Sequence, residues 1–321
     1  MACLIVWRAG FASDGRAGLH CPPFGPAGHN ARRARGLADD AAVWMPPLGR
    51  TLVFTHDILA CGVHYLPSDP PSDVAWKLLA VNLSDLAAMA ATPAGVLLGL
   101  GLSAAEDDAW REAFVAGLGR ALDTFNVALW GGDTVTGLDR AVLGLTAVGW
   151  VEPGKAMGRS GAQPGDTLWV SGSIGDAGLG LAVAKGEAPF DKALLNRFRR
   201  PPPRLALGVA LGGVATAGMD ISDGLLIDAE RLAAASGVAL VIDLDAVPVG
   251  RPADSLDDLL VRVTAGDDYE LLFTLPEGVD PGGLCSTPVA AVGRVLAGAG
   301  VSLRFAGHAV PLPVKLGWEH G

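Results

Sequence analysis

The sequence predicts a two-domain protein of mixed α/β class. Strand and helix patterns alternate through both halves of the chain, which suits α/β and mixed α+β folds and not all-β or helical-bundle folds. The length, 321 residues, suggests about two domains. The texture also breaks once, at the turn-rich run EPGKAMGRSGAQPGD from Glu152 to Asp166. The expected division is an atypical N-terminal arm over 1–35, a first domain over 36–151 and a second over 152–321.

The elements follow in order. Residues 1–35 mix Gly, Pro, Arg and His with little periodicity, so a loose arm without chemistry is expected. Asp39 and Asp40 precede a short strand pattern, Ala41 to Trp44. Thr51 to Asp57 reads as a strand ending in Thr55, His56 and Asp57, and the segment Ala60 to Tyr65 carries His64. Val74 to Met89 is almost wholly apolar and reads as a mostly buried helix, with Ser72 as N-cap, Asp73 in the first turn and Pro93 as the stop. Val96 to Leu102 is a buried strand. Ser103 and Glu106 form a capping box that opens a helix to about Phe125. Val127 to Trp130 then delivers Asp133 into a glycine turn, and Ala141 to Val151 is a further strand.

The second half restarts with a strand at Thr167 to Gly172 and a helix from Asp176 to Lys185. After RRPPPR a helix begins near Arg204, and Asp220 to Gly224 opens another through Ala235. Gly237 to Leu244 is a strand and Asp254 to Val263 a short helix. Gly266 to Glu270 feeds the strand LLFT, and Val289 to Val295 is followed by a Gly-rich turn and a tail holding Trp318.

Composition narrows the function. The formal net charge is −10 and no basic stripe stands out, so nucleic acid is not an expected partner. Cys3, Cys21, Cys61 and Cys285 have neither zinc nor redox spacing, which fits a reducing cytoplasm. The apolar start is too short for a signal-peptide core, and no stretch is long enough to span a bilayer. Neither a Walker loop nor G-x-G-x-x-G occurs, and Gly175 to Gly180 matches neither order.

Five carboxylates stand out: Asp40, Asp57, Asp85, Asp133 and Asp220. Each sits at the edge of an apolar element beside small or hydroxylated residues, with no basic neighbour in sequence. Asp85 is the sharpest case, because a carboxylate in an apolar helix costs several kcal/mol (roughly) unless something cationic offsets it. Lys77 lies two turns back, and Asn82 offers only an amide. Turn chemistry explains any one of the five; together they suit Mg²⁺, which takes a few carboxylates and completes its shell with water and phosphates. Arg159, in a Gly/Ser turn, suits either solvent or a phosphate clamp. Read alone, His64 is a satisfied half-buried histidine, Trp318 a packing residue and Ser222 a helix cap.

The motifs ADDAAV (Ala38–Val43), THD (Thr55–Asp57), AVNLSDLAAM (Ala80–Met89), GGDT (Gly131–Thr134), GRSGAQPGD (Gly158–Asp166), DISDGL (Asp220–Leu225) and GDDYELLFT (Gly266–Thr274) resemble those of the thiamine-monophosphate kinase family. The wider group is the aminoimidazole ribonucleotide synthetase-like superfamily. The resemblance implies a fold with an N-terminal α/β domain, whose strands pair across a homodimer, and a C-terminal α/β domain. It implies transfer of phosphate from ATP to thiamine monophosphate with Mg²⁺, giving thiamine diphosphate in the last step of its biosynthesis. By motif, Asp40, Thr55, His56, Asp57, Asp85, Asp133, Asp220 and Asp223 resemble the metal positions. Asp133, Asp57 and Asp85 are the ones on which catalysis would depend. Gly132, Asp133, Arg159 and Ser222 resemble the ATP positions, and His64, Asp267 and Trp318 those for thiamine monophosphate. The family usually has Thr or Ser where His56 stands, and glycine where Ala38 stands. Two rivals are another ATP-dependent superfamily enzyme and a non-catalytic nucleotide binder. A selenophosphate synthetase would need a reactive cysteine in a glycine-rich setting, which Cys3 and Cys21 lack.

Overall fold

The computed structural model describes residues 40–319. The expectations for residues 1–35 and for Ala38 lie outside the described residues. Two compact units are present. One takes described residues up to Pro47, then Phe54–Asn82 and Pro93–Val148; the other takes Leu48–Val53, Leu83–Thr92 and the chain from Gly149 onward.

The first sheet contains β1 (Thr51–Ala60), β2 (Thr92–Ser103), β3 (Ala128–Leu138) and β4 (Val142–Val151), in the order β1-β4-β2-β3. Helix α1 (Pro71–Ala88) follows β1, and α2 (Asp108–Phe125) joins the parallel strands β2 and β3. Helix α1 starts one residue before the expected cap. Pro71 occupies its first position, where a missing N–H costs nothing, so Ser72 lies inside the first turn. Ala75, Leu78, Leu79, Leu83, Leu86 and Ala87 are fully buried, so burial more than propensity holds this helix. It ends where Ala90 turns left-handed (φ 57°), before Pro93.

Helix α2 also starts later than its motif predicts. Glu106 accepts from the Ser103 N–H (2.8 Å) and hydroxyl (2.6 Å), but the N-cap is Asp107, whose side chain accepts from Trp110 N–H. The Ser-Glu pair therefore closes a turn ahead of the helix. The expected strand at Ala41 to Trp44 does not form. Pro46 and Pro47 follow it after Met45 and cannot extend a ladder, and Trp44 packs on Trp130 with ring centroids 5.1 Å apart.

The second sheet has seven strands in the order β11-β10-β7-β9-β5-β8-β6. They are β5 (Thr167–Ser171), β6 (Ala217–Ile221), β7 (Ala239–Asp243), β8 (Glu270–Leu275), β9 (Val289–Leu296), β10 (Gly300–Phe305) and β11 (His308–Val310). Helices α3 (Asp176–Lys185), α4 (Lys192–Arg199), α5 (Leu205–Leu211), α6 (Leu225–Ser236) and α7 (Leu256–Val263) complete this unit. One core gathers Leu168, Val170, Ile221, Leu226, Leu232 and Leu240. Another joins Leu207, Leu211, Leu271 and Phe273 to Ala87 and Met157. Helix α4 and the β10–β11 hairpin are absent from the sequence reading. Helix α4 is eight residues long and merges into the RRPPPR run, and the hairpin follows a Gly-rich turn that masks its alternation.

Among the described residues, no helix is long and apolar enough to cross a membrane.

Candidate active site

The first unit holds Asp40, Thr55, His56, Asp57, His64, Gly132 and Asp133. On β1 the exposed residues alternate: Phe54, His56 and Ile58 face one way, while Thr55 and Asp57 are half-buried on the other side. The main-chain N–H of Asp57 donates to Asn82 Oδ1 at 3.0 Å, and Asn82 Nδ2 donates to Leu78 O at 2.9 Å. Asn82 is fully buried on α1, so its amide fixes the strand at the acidic residue. The sequence reading gave Asn82 no such role. A primary amide at a fully buried position of an apolar helix was the signal available, because such a group must find a partner.

The His56 ring turns away from Asp57. Its Nδ1 lies 2.9 Å from Thr146 Oγ1 on β4. His64 Nδ1 accepts from the Ala60 N–H (3.0 Å), and the His64 carbonyl accepts from Lys77 Nζ (3.0 Å). The half-buried, satisfied histidine expected from sequence is therefore seen, and the buried ammonium of Lys77 holds its turn. Asp40 is exposed at the start of the described chain.

Gly132 has a steric cause. A Cβ there would stand 2.2 Å from Leu98 O across the parallel β2–β3 pair, so only glycine lets the strands close. Asp133 follows, exposed, opposite Gly99, with its own Oδ1 accepting from Thr134 N–H at 2.8 Å. Strand order puts Asp57 and Asp133 on opposite edges of the sheet. Three inter-strand spacings separate those edges, about 14 Å.

The second unit brings its expected residues together. Asp220, 4% exposed near the end of β6, accepts from Ser84 Oγ at 2.7 Å through Oδ2, and Ser84 is fully buried next to half-buried Asp85. The turn Ser222-Asp223-Gly224 leads into α6, whose N-cap is Gly224 without a side-chain bond, so Ser222 is not the cap. Asp228 fills that role from inside the helix, accepting from the N–H groups of Ser222 and Asp223 (3.1 Å each). Burial pushes the Asp228 carboxyl up, with the Asp223 N–H and Arg231 pulling the other way. Arg231 also pairs with Asp223 at 2.6 Å. Two more segments attach to this turn: Asp267 N–H donates to Ser222 O (2.8 Å), and Trp318 N–H donates to Asp223 O (2.9 Å). Residues Asp220, Ser222, Asp223, Asp267 and Trp318 thus share one neighbourhood. Arg159 is exposed, with its carbonyl accepting from Ser236 Oγ (2.9 Å).

Among the described residues, no three His, Cys, Asp or Glu side chains lie close enough to hold a metal ion. The carboxylates and hydroxyls in these two groups are hard oxygen donors, the type suited to Mg²⁺.

Family models for AIR synthase related protein match twice: the N-terminal domain over residues 38–151 and the C-terminal domain over 163–311. A thiamine-monophosphate kinase from Caulobacter vibrioides is 39% identical over 339 aligned residues, covering 97% of this chain and 95% of that protein. The chain belongs to the thiamine-monophosphate kinase family. Two solved structures agree with membership in this family. Thiamine-monophosphate kinase from Stenotrophomonas maltophilia K279a is 37% identical, with a TM-score of 0.77 over 87% of this chain and 96% of that one. AaThiL complexed with AMPPCP and TMP is 32% identical, with a TM-score of 0.76 over 88% of this chain and 91% of that one. Seen within the kinase family, the neighbourhood of Asp220, Ser222, Asp223, Asp267 and Trp318 joins the DISDGL and GDDYELLFT motifs to the C-terminal tail.

Proposed function

We propose that this protein transfers the γ-phosphoryl group of ATP to thiamine monophosphate, forming thiamine diphosphate. The observation that carries this reading is near full-length similarity to a thiamine-monophosphate kinase, together with a like structure complexed with AMPPCP and TMP. AMPPCP stands for ATP with a carbon in place of the β–γ bridging oxygen.

The acceptor is itself a phosphate, and its second pKa of about 6 leaves it ionised at neutral pH. No general base is required. The difficulty is bringing two anions into line, which positioning and charge neutralisation address. Gly132, Asp133, Arg159 and Ser222 are the proposed ATP contacts; His64, Asp267 and Trp318 are those for thiamine monophosphate. In the first unit Asp40, Thr55, Asp57 and Asp133, and in the second Asp85, Asp220 and Asp223, would supply oxygen ligands suited to Mg²⁺. His56 is the remaining proposed metal residue, with its ring Nδ1 engaged by Thr146. Mg²⁺ held there would screen the phosphates from one another and fix their orientation. A coupled ADP-release assay with and without thiamine monophosphate tests the function. Release that depends on thiamine monophosphate is expected, and release indifferent to it, or none, rejects the reading.

Ser84 supports this site by orienting the buried Asp220 carboxylate. Ser84→Ala is expected to cost about 1–3 kcal/mol, the usual penalty for weakening a buried acceptor. It should also raise the Mg²⁺ concentration giving half-maximal thermal stabilisation. An unchanged Mg²⁺ titration of the melting temperature would remove Ser84 from the metal site.

We also propose a homodimer formed through the first sheet. Phe54 is 65% exposed, Ile58 49%, Leu97 42%, Val135 54% and Val142 39%, an apolar face on that sheet that its own helices leave open. Phe54→Glu should run as a monomer in light scattering. A Phe54→Glu protein that stays dimeric rejects this interface.

A further inference from the structure

We propose that Asp268 is a positioning residue that fixes the backbone from which Asp267 reaches thiamine monophosphate. The proposal rests on the reading of Asp267 as a substrate contact.

The segment Gly266 to Glu270 joins α7 to β8 in an unusual conformation. Asp267 has φ 69° and Tyr269 φ 50°, both left-handed. Asp tolerates that region, but Tyr does so poorly and is held there only where the surroundings impose it. The imposing contacts are visible. The N–H groups of Asp267 and Tyr269 donate to Ser222 O and Ile221 O, each at 2.8 Å. Gly266 lies so close that a Cβ would meet Ser222 O at 2.7 Å. Between the two left-handed residues, the Asp268 side chain points inward and is 1% exposed. Its Oδ2 accepts from Gly175 N–H at 2.7 Å and its Oδ1 from Ala177 N–H at 3.3 Å, at the start of α3. On the far side Glu270 is fully buried and held by Ser171, Arg197 and Arg204.

Asp268 is thus the side-chain pin between two residues whose conformation resists relaxation. Its carboxyl is turned into the start of α3. Burial pushes that carboxyl up to about 8, against the pull of Gly175 N–H, Ala177 N–H and Arg197. A neutral amide of the same shape can therefore replace it and still accept from Gly175 N–H, whereas a methyl group cannot.

The test compares Asp268→Ala, Asp268→Asn and Asp267→Ala in the full-length enzyme. Asp268→Ala is expected to raise KM for thiamine monophosphate about tenfold while KM for ATP changes less than about twofold, the signature of lost binding on one substrate only. Calorimetry should give the same loss in Kd for thiamine monophosphate, and Asp268→Asn should recover most of it. If Asp268→Ala is insoluble, Asp268→Glu, whose extra methylene must displace the segment, is measured in its place with the same expectation. A lowered melting temperature with both KM values unchanged, or an equal rise in both, overturns the proposal. If Asp267→Ala raises KM for thiamine monophosphate and Asp268→Ala does not, the positioning role alone fails. If Asp267→Ala has no effect, the substrate reading of Asp267 fails and the proposal falls with it.

Discussion

Asp133→Asn is expected to fold normally and to transfer almost no phosphate. Asp133 is exposed on an edge strand, and its carboxylate accepts from the N–H of the next residue, Thr134. The amide oxygen of Asn can take that bond, so stability should change by less than about 0.5 kcal/mol, as for ordinary surface substitutions. The chemistry should not survive. In the metal role proposed for it, the Asp133 carboxylate would supply negative charge that an amide lacks, and removing one such electrostatic contact costs about 10³-fold in turnover. The measurement is ADP release at saturating Mg²⁺, with a thermal melt of the same preparation. Near-normal turnover would withdraw the metal role of Asp133.

Glu270→Ala should produce the largest loss of stability of any single substitution considered. The Glu270 carboxylate is wholly buried. Arg204 meets it through Nε at 2.6 Å and a terminal nitrogen at 2.5 Å, Arg197 through one nitrogen at 2.6 Å, and Ser171 through Oγ at 2.5 Å. Removing the acid leaves two guanidinium groups facing each other with their common counter-ion gone. Breaking a buried pair in this way costs about 3–5 kcal/mol. The two arginine side chains are 20% and 18% exposed, so partial hydration should bring the loss toward the lower figure. Urea unfolding gives the number, and a loss below about 1 kcal/mol would show that the cluster is not holding α4 and α5 to the sheet. The pH dependence has a definite sign. Burial alone would raise the Glu270 carboxyl, but Arg204 and Arg197 outweigh it and hold the group below its ordinary 4.5. Its stabilisation is therefore present above pH 4.5 and is lost as pH falls through the lower folded value. Wild type should lose stability more steeply than Glu270→Gln on acidification below that point.

The acidic residues were legible because the rule they break is local. Asp85 in a run of Leu and Ala, or Asp133 after two glycines, is conspicuous without a partner in view. Most element types were legible for a similar reason, since periodicity is carried by neighbouring residues. Starts were less so. Pro71 displaced Ser72 from the cap of α1, and Asp107 displaced the Ser103–Glu106 pair from the cap of α2, because several cap-like residues competed within a few positions. The strand expected at Ala41 to Trp44 failed because a strand needs a partner edge, which no local pattern specifies.

The alternation of strands and helices, the positions of the acidic side chains and the motifs that identify the family can all be read along the chain. Those properties depend on residues adjacent along the chain. Folding was needed to reveal that Asn82 clamps Asp57, that Ser84 holds Asp220, that the His56 ring turns to Thr146, and that Asp57 and Asp133 stand on opposite sheet edges. Hydrogen bonds of that kind join residues up to 136 positions apart. Their existence depends on strand order and on the direction each side chain takes from its backbone, which packing alone sets.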